Sequence, residues 1–298
     1  MLLAAQALAA PKLNGFDLAG SLVPADEILP GGPPRDGIPA IDRPTFVGAG
    51  EAAFLKPGDR VLGMVRGGIA KAYPVSILNW HEIVNDHFGR EAVVVSFCPL
   101  CGSGVAFSSQ AGGRARHFGV SGLLYNSDVL LYDRETESLW SQLLAKAVTG
   151  PERGVRLRAL PLSHTTWSAW RQQHPDTLVL SRATGFARDY ERDPYDGYYS
   201  SGRLFFPVTA HSKRYHPKER VLGLTLMGKS KAYPYSELAK TSGEVADRVG
   251  GLSVRVHFDK QAQSARAFDR KGRELAGISA FWFAWYAFHP DTEIFAAK

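Results

Sequence analysis

Cysteine is scarce: the 298 residues contain two, Cys98 and Cys101. Two thiols three positions apart exclude a disulfide framework, because so local a bridge closes almost no loop. No apolar run approaches the roughly 18 residues that a membrane-spanning helix requires. No run of five or more basic residues occurs either. The 35 Lys and Arg are interspersed with 29 Asp and Glu, so the net charge of +6 reads as a solvated surface and not as a nucleic-acid face. Also missing are a GxxxxGK[ST] loop, a GxGxxG turn after a strand and a GxSxG elbow. The common nucleotide-binding loops and serine hydrolase chemistry therefore lose support.

What is present is the composition of a folded globular chain, 45% hydrophobic and 21% charged, with 30 Gly and 18 Pro that predict many turns and few long helices. The N-terminus, MLLAAQALAAPKLNG, is apolar and rich in small residues without a basic leader. Residues 1–26 read as a signal remnant or an N-terminal extension, which makes an exported or periplasmic protein the first expectation and a cytoplasmic one the alternative. Residues 27–56 are dense in Gly and Pro. Ile38, Ile41 and Phe46 within them require burial, so the segment is expected to be an ordered loop wrapping the body.

The chain also matches itself. RVLGMVRGGIAKAYPVSIL (60–78) and RVLGLTLMGKSKAYPYSEL (220–238) align without a gap and share eleven of nineteen positions. VVVSFCPLCGSGVAF (93–107) then matches VRVHFDKQAQSARAF (254–268), and HPDT occurs at 174–177 and 289–292, each time after a pair of tryptophans. Three matches in one order predict two related units, 57–205 and 206–298, packed as one body. The first carries an insertion at roughly 108–165, expected to wall a cleft. The fold class expected is α+β and β-rich. Locally, 60–64 and 69–73 alternate as strands around a Gly67-Gly68 turn, and Pro74 opens a helix expected to run to about Asp86. Val93–Phe97 and Val105–Phe107 read as strands flanking CPLCG. Residues kept in both copies, such as Lys71/Lys231, Tyr73/Tyr233 and Pro74/Pro234, are expected to be scaffold. Those found only in the first, His81, Cys98 and Cys101, are expected to carry chemistry.

CPLCG on a turn between strands suits a metal knuckle, since both sulfurs can point at one ion and Gly102 permits a tight backbone. A low-pKa redox thiol would want a helix N-terminus, which Gly102 and Gly104 argue against. One knuckle supplies two ligands. His81, in NWHEIVND, is the expected third, with His117 and His164 as further candidates. The HExxH metalloprotease pattern fails because Asn85 stands where its second histidine would be. In the insertion, Asn126, Ser127 and Asp128 form a turn. Asp128 and Tyr132 are the candidates for proton transfer, and Asn126, Trp140 and Gln142 for substrate contact.

At GGPPRDGIPAID, KAYPVSILNWHEIVND, VVVSFCPLCGSGVAF, FGVSGLLYNSDVLLYDRETESLWSQ, HPKERVLG and FWFAWYAFHPDTEIF the chain resembles the domain-of-unknown-function family numbered 3179. The resemblance runs from about residue 27 almost to the C-terminus. It implies a prokaryotic-type protein, often made with an export signal, and brings no reaction, cofactor or substrate with it. The functional expectation from the residues is a metal-centred enzyme using Cys98, Cys101 and His81, with zinc for hydrolytic or copper for redox chemistry, acting on a small-molecule or peptide substrate. The alternatives are a thiol–disulfide protein and a binding protein with a structural metal knuckle.

Overall fold

The protein is described by a computed structural model covering residues 12–297 except residue 112. The apolar run at 2–10, and the signal it suggests, lie outside these residues. Among the described residues no helix is long and apolar enough to cross a membrane. Strand outweighs helix, 41% against 10%, and among the described residues no α-helix exceeds seven residues, as the 30 Gly and 18 Pro predict.

The first hairpin pairs Arg60–Arg66 with Ile69–Pro74 around Gly67 and Gly68, both with positive φ, as a two-residue turn between twisted strands demands. Pro74 then caps helix α1 (Val75–His81). The helix stops well short of Asp86. Glu82 adopts a left-handed conformation (φ 57°), and the β-branched Ile83 and Val84 open a strand, Ile83–Phe88. That strand meanders through Glu91–Cys98 to Ser103–Ser108. His81 is thus one strand further from the cysteines than the long helix implied.

The same order occurs again: a hairpin of Arg220–Leu226 and Lys229–Pro234, then a short helix Tyr235–Leu238, then a meander Glu244–Val249, Leu252–Asp259, Ser264–Asp269. The helix Trp167–Gln173 follows a strand that pairs with Arg60–Arg66, and the helix Trp282–Phe288 follows one that pairs with Arg220–Leu226. Each of these helices lays a tryptophan over a glycine. A Cβ at Gly63 would come within 2.3 Å of the Trp170 ring, and one at Gly223 within 2.2 Å of Trp285. Each indole N–H donates to the threonine of its HPDT segment, Trp170 to Thr177 at 2.9 Å and Trp285 to Thr292 at 3.0 Å.

One eight-stranded sheet joins the two runs. The strand Ile278–Phe281 pairs with Arg220–Leu226 on one side and meets the cysteine meander on the other, at Ser279 and Gly104. The insertion builds a separate five-stranded antiparallel sheet from Phe118–Tyr125, Asp128–Asp133 and two short strands, closed by Ile28–Pro30. Phe16, Leu18 and Val23 pack on one face of it, so residues 12–26 are part of the body. Ile41 is fully buried and bridges to Val84, with Ile38 and Phe46 partly buried beside the core, which ties down the Gly/Pro-rich segment.

The residues kept in both runs form matching polar pairs. Lys71 Nζ donates to both Asp86 oxygens at 2.8 Å, and the Tyr73 hydroxyl donates to the same carboxylate at 2.6 Å. In the second run Lys231 and Tyr233 meet Asp247 in the same way.

Candidate metal centre

The CPLC turn joins two strands of the cysteine meander. Gly102 makes the return with φ +57°, where a Cβ would lie 2.8 Å from the Phe281 ring. Both sulfurs point inward, Cys98 at 2% exposure and Cys101 at 0%. Two groups hold the turn in place. The Tyr198 hydroxyl donates to the Leu100 carbonyl at 3.1 Å, and the Phe281 N–H donates to the Cys101 carbonyl at 2.8 Å.

The sulfurs face the hairpin turn of the insertion. Asn126 and Ser127 are its two central residues, with φ of 52° and 64°, the pair of left-handed conformations that a type I′ turn requires and Asn tolerates. This turn aims the Ser127 carbonyl at the thiols, 3.3 Å from Cys101 Sγ and 3.8 Å from Cys98 Sγ. It also places Asp128 beside them, so that Cys98 Sγ, Cys101 Sγ and an Asp128 carboxylate oxygen all lie within 4.8 Å of one another. Asp128 Oδ2 accepts the Leu143 N–H at 3.0 Å. Asp128 Oδ1 is fully buried and has no hydrogen-bond partner among the described residues. The thiols are near enough to favour its charged form, but both donate to the Ser127 carbonyl instead.

Glu82 is missing from the candidates that the sequence suggests. Its neighbour His81 carries the more obvious ligand chemistry, yet Glu82 is the buried carboxyl within electrostatic reach of Cys98 and Asp128. The left-handed turn ends α1, and the Glu82 carbonyl accepts the Phe97 N–H at 2.8 Å, which fastens it to the cysteine strand. Burial, and then the nearby Asp128, push its carboxyl up to about 8. Burial raises Asp128 to about 7 and pushes both thiols above their ordinary range. Four buried acidic groups thus influence one another's ionisation. Tyr195, Tyr198 and Tyr199 lie close by, and burial, followed by charges that include Cys98, raises the pKa of each hydroxyl. A signal for Glu82 exists in the sequence, as a carboxylate of the first run with only Thr241, Ser242 and Gly243 around the matching point of the second.

The other expected site residues lie elsewhere. His81 is fully buried, with Nδ1 2.7 Å from the Pro39 carbonyl and Nε2 2.7 Å from the Tyr190 hydroxyl, so both nitrogens are engaged away from the sulfurs. Val129 and Leu131 pack toward the cysteines, and Tyr132 is on the other face of that sheet, among Phe16, Leu123 and Leu139, donating to Asp36. Trp140 is a core residue with its N–H on Asp133 Oδ2 at 2.8 Å. Gln142 is completely internal, donating to Ser96 Oγ at 2.9 Å and accepting from Ser103 Oγ at 2.6 Å, and so ties together the strands that flank the cysteines. Asn126 accepts from the backbone and hydroxyl of Thr209. His117 is a surface residue paired with Glu135.

His164 is buried against two guanidiniums: Arg220 lies 3.3 Å from its Nδ1, and Arg60 donates to its carbonyl at 2.7 Å. Burial, then Arg220 and Arg60, hold the imidazole well below its ordinary value of 6.5. A depressed histidine contributes stability that is complete above pH 6.5 and declines as the pH falls toward the folded value. The His164 ring signals should therefore titrate, in an NMR pH series, with a midpoint well below the ordinary 6.5, and a midpoint at or above 6.5 would refute that placement of charges.

A cleft of about 550 Å³ abuts the turn, with Phe97, Gly102, Tyr199 and Phe281 in its lining. None of the described residues of the insertion walls it, contrary to expectation, and Asn126, Trp140 and Gln142 are not among its lining residues. Residues from the 182–199 segment close it instead, because the insertion packs its apolar faces against the N-terminal residues and the core around Trp140.

No curated protein and no solved structure matches the chain. A family model described as "Protein of unknown function (DUF3179)" matches residues 35–292, which takes in every residue of the cysteine–aspartate site. The chain belongs to that family.

Proposed function

We propose that the chain is a metal-centred enzyme whose ion is held by Cys98 Sγ, Cys101 Sγ and Asp128 Oδ1, with Glu82 beside them. The observation that carries this reading is the bare Asp128 Oδ1. A buried acceptor without a partner costs about 1–3 kcal/mol, and a cation between it and two inward-facing sulfurs removes that cost. Two thiolates suit either zinc or copper, and the harder carboxylate as third donor favours zinc. Cys98, Cys101 and Asp128 would hold the ion, and three protein donors are the pattern of catalytic zinc, which would supply a bound water of lowered pKa and a Lewis acid. Glu82, a buried carboxyl within electrostatic reach of Asp128 and Cys98, would be a group able to hold or release a proton there, and Gly102 marks where the cleft reaches the turn.

The thiol–disulfide reading has less support. Reactive thiols occupy exposed, electropositive surroundings, whereas these are buried among acids with raised pKa. We also read the two matching runs as duplicated units. In the second, Asp259 and Ala262 stand where the first has its cysteines, so on this reading the first unit works and the second supports it.

The test is elemental analysis of protein purified without chelator or affinity nickel, alongside a thiol count. About one equivalent of zinc is expected, with both thiols protected until a chelator strips the ion, and Cys98→Ser should lose it. Metal-free protein with a reversible Cys98–Cys101 disulfide would overturn the proposal.

A further inference from the structure

The cleft beside the site carries a charge imbalance that its own side chains leave uncorrected. Six cationic side chains line it against three carboxylates. Two of the cations, Arg60 and Arg220, begin equivalent strands of the two runs and meet across His164. Among the described residues neither has a carboxylate partner. Arg60 donates to the carbonyls of Ala262, His164 and Gln263, and its buried Nε has no partner among the described residues. Arg220 has the imidazole of His164, 3.3–3.5 Å away. Lys218, a third cation on the wall, donates to the carbonyls of Tyr198, Ser201 and Arg203, so its charge too is unneutralised. Burial, and then the neighbouring Arg220 charge, lower Arg60 to about 9.

Two guanidiniums held together without a counter-charge weaken a fold unless something anionic completes them. The guanidinium fork matches a planar carboxylate or a phosphate in bidentate fashion. Much of the remaining wall is aromatic, with Phe97, Tyr199 and Phe281 together, and the volume is that of a small-ligand site. We infer that this cleft binds a small organic oxyanion, its carboxylate or phosphate head on Arg220 and Arg60 and its apolar body against Phe97, Tyr199 and Phe281. The inference does not depend on the metal proposal. It rests on the arginines, and the thiol turn contributes only the shared wall at Phe97 and Gly102.

Calorimetric titration of the full chain with phenyl phosphate, benzoate, neutral benzamide and inorganic phosphate tests it. Phenyl phosphate or benzoate should bind and raise the melting temperature, and the tighter of the two names the head group. Benzamide should not bind. Inorganic phosphate should bind at least about tenfold more weakly than phenyl phosphate. Arg220→Met should weaken the organic anion at least about tenfold. It should also melt, without ligand, no lower than wild type, because it removes a like-charge contact and breaks no carboxylate pair. A merely structural Arg220 would give the reverse, a lower melting temperature and unchanged binding. Absence of binding by both organic anions at about 5 mM would overturn the inference, and equal affinity for phenyl phosphate and inorganic phosphate would overturn the apolar half of it. Cys98→Ser, run in parallel, should bind the anion like wild type even where it has lost its metal, so the two proposals can fail separately.

Discussion

Asp128→Asn should empty the metal centre without weakening the metal-free fold. The asparagine oxygen can still accept the Leu143 N–H, so the turn keeps that contact. What disappears is the anionic Oδ1 and its charge beside Glu82. Loss of one of three protein donors should reduce bound metal to below about a tenth of the wild-type content. Chelator-stripped wild type and Asp128→Asn should then melt together, or the variant slightly higher, whereas only the wild type should gain stability on adding zinc. A variant that unfolds in the absence of metal would show that Asp128 serves the fold. One that retains a full equivalent would remove it from the ligand set.

Lys71→Met should cost about 3–5 kcal/mol of stability, far more than Lys231→Met. Both lysines stand 2.8 Å from an aspartate at the same point of the two runs. The difference is solvent. The Lys71 and Asp86 side chains are 9% and 6% exposed, and those of Lys231 and Asp247 are 14% and 20%. Removing Lys71 strands Asp86 between the Tyr73 hydroxyl and an apolar cluster, and it also takes a cation from the faces of Phe46 and Phe88. Water can reach Asp247, so the second loss should stay at about 1 kcal/mol. Urea midpoints for the two variants measure this. Lys71→Met combined with Asp86→Leu should recover part of the loss, since a buried pair removed together leaves no orphan charge. Equal losses at the two sites would contradict the role assigned to burial.

Local rules carry the sequence reading as far as they apply. Gly67-Gly68 between alternating runs specifies a hairpin, and Gly102 places the cysteines on a turn. Ile38, Ile41 and Phe46 show that the Gly/Pro-rich segment has to be packed. The reading fails where distant elements decide. An apolar stretch such as Ile83–Val84 suits a helix or a strand, and in the structure it opens a strand that brings Asp86 to Lys71. Trp140 and Gln142 look like a binding surface in a string of polar and aromatic residues, but their partners are Asp133, Ser96 and Ser103, two of them in strands outside the insertion. His81 and Glu82 are adjacent letters, and a left-handed backbone at one residue separates their surroundings. Among the residues shared by both runs, Lys71 and Tyr73 hold a buried carboxylate, while Arg60 and Arg220 line one cleft. A residue retained in both runs can still be brought to one cleft when the runs pack against each other.

The hydrogen bond from Phe281 to the Cys101 carbonyl has a consequence for the order of events during synthesis. Both strands flanking the cysteines are available once the chain has grown past Ser108, and Asp128 follows soon after. The clamp from Tyr198 and the wall from Phe281 come much later, and the sheet that joins Gly104 to Ser279 cannot close before them. Contacts of such long sequence separation carry a large loop-closure cost. The turn that holds the thiols is therefore fully covered only when residues from the far end of the chain are in place, and on the metal reading an ion has its easiest access before that closure.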